Sequence, residues 1–334
     1  MKIYLAGASG AIGRRLVPRL VASGHEVIAA TRSAQKAAEL RLHGAEPVVV
    51  DGLDESAMLD AVSRAEPEVV IHEITALTGA TSLRRFDRRF AATNELRTRG
   101  TDHVLRAARL GGARRLIAQS FADWPNIRAG SRVKTEDDPL DPSPPSAMRQ
   151  SLGAIRHLEQ AVTHAEGLEG IVLRYGTLYG PGTGFADDGE FGAMVRRRRV
   201  PIVGDGGGVW SFVHVDDAAT ATMAAIERGA PGIYDIVDDE PAAVVDWLPE
   251  FAAAVGARPP RHVPVWLGRV ASGEVGVSLM TRTRGSANAK AKRELAWQPT
   301  FPSWREGFRE RTHDRGGLAA PEAGLRDLAT RRTP

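Results

Sequence analysis

The chain opens with a short apolar run at residues 3–6. It feeds without a spacer into Gly7-Ala8-Ser9-Gly10-Ala11-Ile12-Gly13 and from there into a helical pattern at residues 11–23. Three glycines at this junction restrict the fold more than any other feature of the sequence. Gly7 permits a tight turn, Gly10 lets a ligand approach the backbone, and Gly13 lets the helix start lie close to the strand. The start of a helix also offers N–H donors and partial positive charge to a phosphate. The spacing is G-x-x-G-x-x-G rather than G-x-G-x-x-G, so its weight comes from its place directly after a first strand. These residues predict a dinucleotide site built from Gly7, Ser9, Gly10, Ala11, Ile12 and Gly13.

Short Val- and Ile-rich runs follow at residues 26–30, 47–50, 69–72, 115–118 and 170–173. Helical patterns separate them at 34–42, 55–63, 83–110 and 147–165. The alternation predicts an α/β fold, a Rossmann-type doubly wound parallel sheet with helices on both faces. Residues 123–145 form a long loop with five prolines. After residue 175 the alternation weakens, with Gly and Pro clustered at 180–184 and 204–208. Later helical patterns lie at 215–227, 244–254, 287–295 and 303–311, and a strand pattern at 233–237. The predicted division is an NAD(P)-binding domain at 1–174, with 206–238 returning to it. A smaller, interleaved C-terminal α/β lobe for substrate spans 175–205 and 239–311, and a loosely held tail spans 312–334.

The 44 basic and 41 acidic residues nearly cancel, leaving a net charge of +3. Nothing in this balance calls for nucleic acid. The one compact basic run, residues 196–199, suits the solvated end of a helix. The absence of cysteine removes disulfides, thiolate metal sites and thiol nucleophiles, and the nine histidines lack ligand spacing. No apolar run reaches the ~18–20 residues that a bilayer span needs. The N-terminus lacks the features of a signal peptide. The expectation is a cytoplasmic protein with a small-molecule substrate, no metal and no membrane partner.

The end of the second strand carries no acid between residues 27 and 38, where an NAD site holds its adenosine ribose. Arg32 and Ser33 stand there instead, and a guanidinium suits the 2′-phosphate of NADP. NADP is therefore preferred over NAD. Asp51 and Gly52, after the third strand, fall where adenine would lie. Ile74 and Thr75, after the fourth, fall beneath the ribose and nicotinamide. His72 reads as a buried structural histidine.

With these residues in place, the chain resembles the extended short-chain dehydrogenase/reductase superfamily in its NAD-dependent epimerase/dehydratase branch. The matching segments are residues 7–13, Thr93-Asn94 with Gly100-Thr101, residues 115–120, Leu173-Arg174-Tyr175 with Tyr179-Gly180-Pro181, residues 203–206, residues 212–217, and residues 295–299 with 304–307. The resemblance implies a Ser/Thr, a Tyr and a Lys, the last two in Y-x-x-x-K. The Lys would lower the Tyr pKa and hydrogen-bond the nicotinamide ribose. None of the four tyrosines, Tyr4, Tyr175, Tyr179 and Tyr234, has a Lys four residues on. Aligned on Glu159, Ser151 takes the Tyr position and Ile155 the Lys position. Phe121 takes the Ser/Thr position, with Ser120 one residue before.

The cofactor-binding residues are thus retained and the proton-transfer set replaced. Three readings stay open. One is an NAD(P)-dependent oxidoreductase acting on a small carbonyl or conjugated alkene, its proton coming from Tyr175, Ser120 or Ser151. Another is a cofactor-retaining epimerase, dehydratase or lyase. The last is a redox-silent NADP-binding sensor or scaffold. Tyr175 reads first as a cofactor contact, packing on or hydrogen-bonding the carboxamide, and only then as the donor. Trp124, Asn126, Met148, Trp210 and Arg282 are candidate substrate contacts at the carboxyl ends of the strands. His214, Asp216 and Asp217 read as structural, Asp216 capping the next helix. The resemblance also implies a possible homodimer through the helices at 83–110 and 147–165.

Overall fold

A computed structural model describes residues 1–77 and 83–309. The tail assigned to 312–334 lies outside the described residues. The first half alternates as β1 (Lys2–Ala6), α1 (Gly13–Ala22), β2 (Glu26–Thr31), α2 (Ala34–Leu42), β3 (Glu46–Val49), α3 (Glu55–Ala65) and β4 (Val69–His72). A 3₁₀ turn (Leu83–Arg85), α4 (Phe86–Arg89), α5 (Ala91–Glu95), a π segment (Leu96–Gly100) and α6 (Thr101–Leu110) lead to β5 (Arg115–Phe121). Then come β6 (Val133–Lys134), α7 (Arg149–Thr163), β7 (Glu169–Tyr175), β8 (Thr177–Tyr179), α8 (Glu190–Arg196), β9 (Ile202–Val203), β10 (Val209–Trp210) and β11 (Phe212–His214). The chain continues through α9 (Val215–Glu227), β12 (Gly232–Ile236), β13 (Ala242–Ala243), α10 (Val244–Ala254), β14 (His262–Val263) and α11 (Val265–Thr281). It ends in β15 (Gly285–Ser286), α12 (Ala289–Glu294) and α13 (Trp304–Arg309).

Seven strands form one sheet in the order β12-β7-β5-β4-β1-β2-β3, and every pairing in it is parallel. The reason is visible within β1. Ile3 and Leu5 enter one core, with α1 and α9, while Tyr4 and Ala6 enter a second, with α3, α6 and α7. A strand apolar on both faces must be covered on both, which right-handed βαβ crossovers achieve. The strand order reverses between β1 and β4, and the carboxyl ends that open at this point form the ligand crevice of such sheets.

A third core joins Phe212, Trp247, Phe251, Val277 and Trp304 from β11, α10, α11 and α13. Each fully buried large apolar side chain contributes about 1.5–3 kcal/mol. Two devices fasten this core to the large sheet. Asp217 of α9 accepts the backbone N–H groups of Thr300 (2.7 Å) and Phe301 (2.9 Å). Asp216, expected to cap α9, instead pairs with Arg19 of α1 at 2.6 Å, and His214 Nδ1 caps the helix by accepting from the Asp216 N–H. No helix among the described residues is long and apolar enough to cross a membrane.

The single helix expected over residues 83–110 is broken. Thr98 Oγ1 donates back to the carbonyls of Asn94 (3.0 Å) and Glu95 (3.2 Å), competing with the helical ladder where the π segment widens it. The loop at 123–145 is pinned by a bridge between Asn126 and Leu140 and by β6, which pairs with β15.

Candidate cofactor and active site

The glycine turn sits at the topological reversal, against the end of β4. Gly7 has φ +92°, and a Cβ there would lie 2.5 Å from the carbonyl oxygen of Glu73. A Cβ on Gly13 would lie 2.5 Å from the carbonyl oxygens of both Gly7 and Ala8, so this glycine closes the turn on itself before α1 begins. Around Gly10 the space is open apart from the Gly7 carbonyl at 3.2 Å. The first turn of α1 has no acidic residue and no side-chain cap. These features fit an anionic group approaching Gly10, Ala11 and Ile12.

Ser9 Oγ and Thr31 Oγ1 lie 2.9 Å apart, tying the turn to the end of β2. Ser33 accepts the Lys36 N–H as the N-cap of α2, so its hydroxyl is engaged. Arg32 is exposed beside it, and Arg14 reaches the Ser9 carbonyl with Nε at 3.2 Å. The sequence pattern did not single out Arg14; two cations therefore flank this end. Asp51 accepts the Leu53 N–H and shapes a turn, and Gly52 packs close to Ile74 and Leu96. Ile74 and Thr75 are half-buried at the end of β4.

The proposed proton donors all face inward. Tyr175, 2% exposed, donates to Glu73 Oε1 (3.0 Å) and meets Thr222 Oγ1 of α9 at 2.6 Å. Burial, with the Glu73 charge adding, raises its phenol well above the ordinary value. Burial pushes Glu73 up to about 8, against the pull of the Tyr175 hydrogen bond. Ser120 donates to Glu159 Oε1 at 2.7 Å, and Arg174 grips the same carboxylate with Nε and a terminal nitrogen. Ser151 has no exposed surface. It donates to Asp87 Oδ1 at 2.7 Å and accepts from Asn94 Nδ2 at 3.0 Å. His72 is 1% exposed beside Thr101, and burial, then the charge of Arg97, lowers it to about 4. Each of these groups is thus engaged with its own buried partner: Tyr175 with Glu73 and Thr222, Ser120 with Glu159, Ser151 with Asp87 and Asn94, and His72 with Thr101.

The substrate candidates divide. Trp124 and Met148 join Phe86 and Val275 in a small cluster, with Phe90 half-buried beside them. The Phe86 and Phe90 rings are 4.3 Å apart, Trp124 stands edge-on to Phe86 at 5.4 Å, and Phe121 lies 6.4 Å from Trp124. Phe121, Trp124 and Phe90 keep partly open faces at the carboxyl end of β5. The other candidates do not meet them. Asn126 is turned inward, donating to Ser286 Oγ at 3.0 Å and to the carbonyls of Arg284 and Gly285, because the loop needs an anchor to β15. Trp210 donates to the Leu279 carbonyl at 2.9 Å and packs on Trp247, on the third core. Arg282 is exposed at the end of α11.

The sequence pattern passed over Glu73, Asp87 and Arg97. Asp87 accepts the backbone N–H groups of Gln150 (3.0 Å) and Ser151 (2.8 Å), capping the start of α7 from another element. Within an Arg-rich run read as one helix, no local signal marked it. Phe86 and Phe90, four residues apart, were the available hint of an apolar face there.

Three comparisons bear on this arrangement. The model of the NAD dependent epimerase/dehydratase family matches residues 3–236. A Streptomyces protein named 3-diazoavenalumate denitrifying reductase is 46% identical over 311 residues, covering 92% of this chain and 99% of the relative. A 2-alkyl-3-oxoalkanoate reductase of Stenotrophomonas maltophilia is 28% identical over 77% of this chain and 76% of its own. Among solved structures, a UDP-glucose 4-epimerase of Thermotoga maritima with UDP-glucose superposes with a TM-score of 0.71 at 25% identity, covering 93% of this chain and 97% of that one.

Proposed function

The chain belongs to the NAD dependent epimerase/dehydratase family. From that premise we propose that it is an NAD(P)-dependent reductase whose substrate is a flat, electron-poor aromatic molecule and whose reaction draws no proton from a side chain. The observation that carries this reading is the inward engagement of Tyr175, Ser120, Ser151 and His72. A carbonyl reduction needs a proton at the new alkoxide. Two other classes of acceptor do not need one from the enzyme. A conjugated alkene gives an enolate that water protonates. A diazonium group accepts hydride, its C–N bond breaks and N₂ leaves, so charge balances with no proton consumed.

The relative named as a denitrifying reductase supports the diazo class. The half-open rings of Phe121, Trp124 and Phe90 support a planar substrate, since stacked or edge-on aromatic contacts add about 0.5–1.5 kcal/mol each. When bound, the cofactor supplies the hydride. The chain's own part is to hold the dinucleotide on Gly7–Gly13, orient the acceptor against Phe121 and Trp124, and keep bulk water from the reacting carbon. Arg32 and Arg14 support a preference for NADP, because exposed guanidinium groups beside Ser9 suit a 2′-phosphate.

The test is to mix the protein with 4-deuterated NADPH and benzenediazonium. The expected result is N₂ release with deuterium on the ring carbon, at a rate flat between about pH 6 and 8. Tight NADPH binding without oxidation by a diazonium, an enone or an aldehyde would instead identify a redox-silent binder. NADPH should bind more tightly than NADH, and Arg32→Ala should narrow the gap.

A further inference from the structure

Arg97, on the π segment, is 7% exposed. Its Nε is buried with no hydrogen-bond partner, and among the described residues its guanidinium forms no ion pair within 4 Å. A guanidinium has five N–H donors and cannot shed its charge as a carboxyl can, so a buried one whose Nε has no partner asks what it is for. Its neighbours do not answer the need. His72 ends β4 and is held to Thr101. Glu159 feels the Arg97 charge, but its oxygens are already taken by Ser120 and by both arms of Arg174.

The position is informative. The π segment packs on α7, and the Arg97 charge is coupled to His72 at the carboxyl end of β4 and to Glu159 on the buried face of that helix. Ile155 is on α7 one turn before Glu159, and both are buried. Aligned on Glu159, Ile155 takes the position of the Lys that the resemblance implies would reach the nicotinamide-side ribose. An apolar Ile155 on α7 and a buried cation with an unpaired Nε on the segment packed against α7 complement one another.

We infer that Arg97 supplies, from the π segment, the cationic contact to the ribose hydroxyls on the nicotinamide side of the bound cofactor that Ile155 of α7 cannot make. The inference rests on the dinucleotide reading of the glycine turn. Arg97 is a binding and positioning residue here, and its planar fork of donors matches a vicinal diol.

The experiment titrates the full chain with NADPH and, separately, with 2′,5′-ADP, which carries only the adenine side. Wild type is compared with Arg97→Met, Arg97→Gln and the double variant Arg97→Met/Ile155→Lys, each checked by circular dichroism. The expected result is that Arg97→Met weakens NADPH at least tenfold and leaves 2′,5′-ADP within twofold. Ile155→Lys in that background should restore most of the NADPH affinity. Unchanged NADPH affinity in a folded Arg97→Met protein overturns the inference, as does an equal loss of both ligands or a failure of rescue. Arg97→Gln, which keeps polar volume without charge, gives the same readout should the methionine variant not fold. If wild type binds neither ligand, the dinucleotide reading itself falls, and the two failures stay distinct.

Discussion

Asp235 on β12 is fully buried, and its carboxylate has no well-formed hydrogen bond, only a weak approach from Ser286. Burial pushes its pKa up to about 8, against the pull of the Arg174 charge; Glu136 and Glu159 add to the rise. The folded carboxyl therefore keeps a proton that the unfolded chain, with an ordinary value of 3.8, has released. Stability from this group is full below about pH 4, is lost as pH rises toward 8, and is level above. Glu73 acts in the same direction. His72, lowered to about 4, acts oppositely and only below its ordinary 6.5. Between about pH 6.5 and 8.5 the carboxyls decide the slope. Asp235→Asn should raise stability at pH 8.5 by about 1–3 kcal/mol and flatten the dependence. Thermal melts across that range check it, and parallel curves for the two proteins would refute it. Single residues are also where the sequence was most legible. The glycine turn could be read because its cause is local: a positive φ at Gly7 and missing Cβ atoms at Gly7 and Gly13. Asn126 and Trp210 were placed at the crevice by residue type, but distant hydrogen-bonding partners, Ser286 and Leu279, turned them elsewhere.

Elements were legible wherever their own side chains shape them. The strands of the large sheet stood out through runs apolar on both faces, and α2 and α3 begin on their own caps, Ser33 and Asp54. The stretch at 83–110 was not legible as a broken helix. Its 3.6-residue pattern is real, but the interruptions come from Thr98 bonding backward and from Asp87 reaching out to α7. Asp87 makes three hydrogen bonds at the start of α7, two of them to backbone N–H groups. Asp87→Ala should cost about 1–2 kcal/mol, the usual loss of a helix cap. Ser151→Ala should cost less, about 0.5–1 kcal/mol, since it removes one hydrogen bond of the set. Urea denaturation of both variants checks the order. A larger loss for Ser151→Ala would mean that the hydroxyl, not the cap, holds the helix.

At the scale of the molecule, the fold class followed from the alternation of strand and helix. The way the later segments return to the large sheet depends on contacts separated by tens of residues. Asp123 Oδ1 accepts the Ser211 N–H at 3.1 Å, and Asn288 Nδ2 donates to the Val237 carbonyl at 2.8 Å. Asp217 holds residues 300 and 301, and with them Trp304 in the third core. Asp217→Ala leaves two N–H groups unpaired and should cost about 2–3 kcal/mol. Limited proteolysis should then cut the chain between Trp297 and Trp304 well before the wild type is touched. Equal cleavage rates would show that the third core holds this segment without the carboxylate.

The enclosure of Ser151 and Ile155 reaches beyond binding. Both have no exposed surface, and Ser151 is wedged between Asp87 and Asn94. A phenol introduced at 151 must evict an acid from its niche, and an ammonium at 155 must enter a place with no exposed surface, on the helix packed against the segment that carries Arg97. Each of these two substitutions therefore meets a steric or desolvation obstacle. On the role inferred for Arg97, laboratory evolution that installs both groups has to change Arg97 and Ile155 together, and to rebuild the niche at Asp87 before a ring can enter.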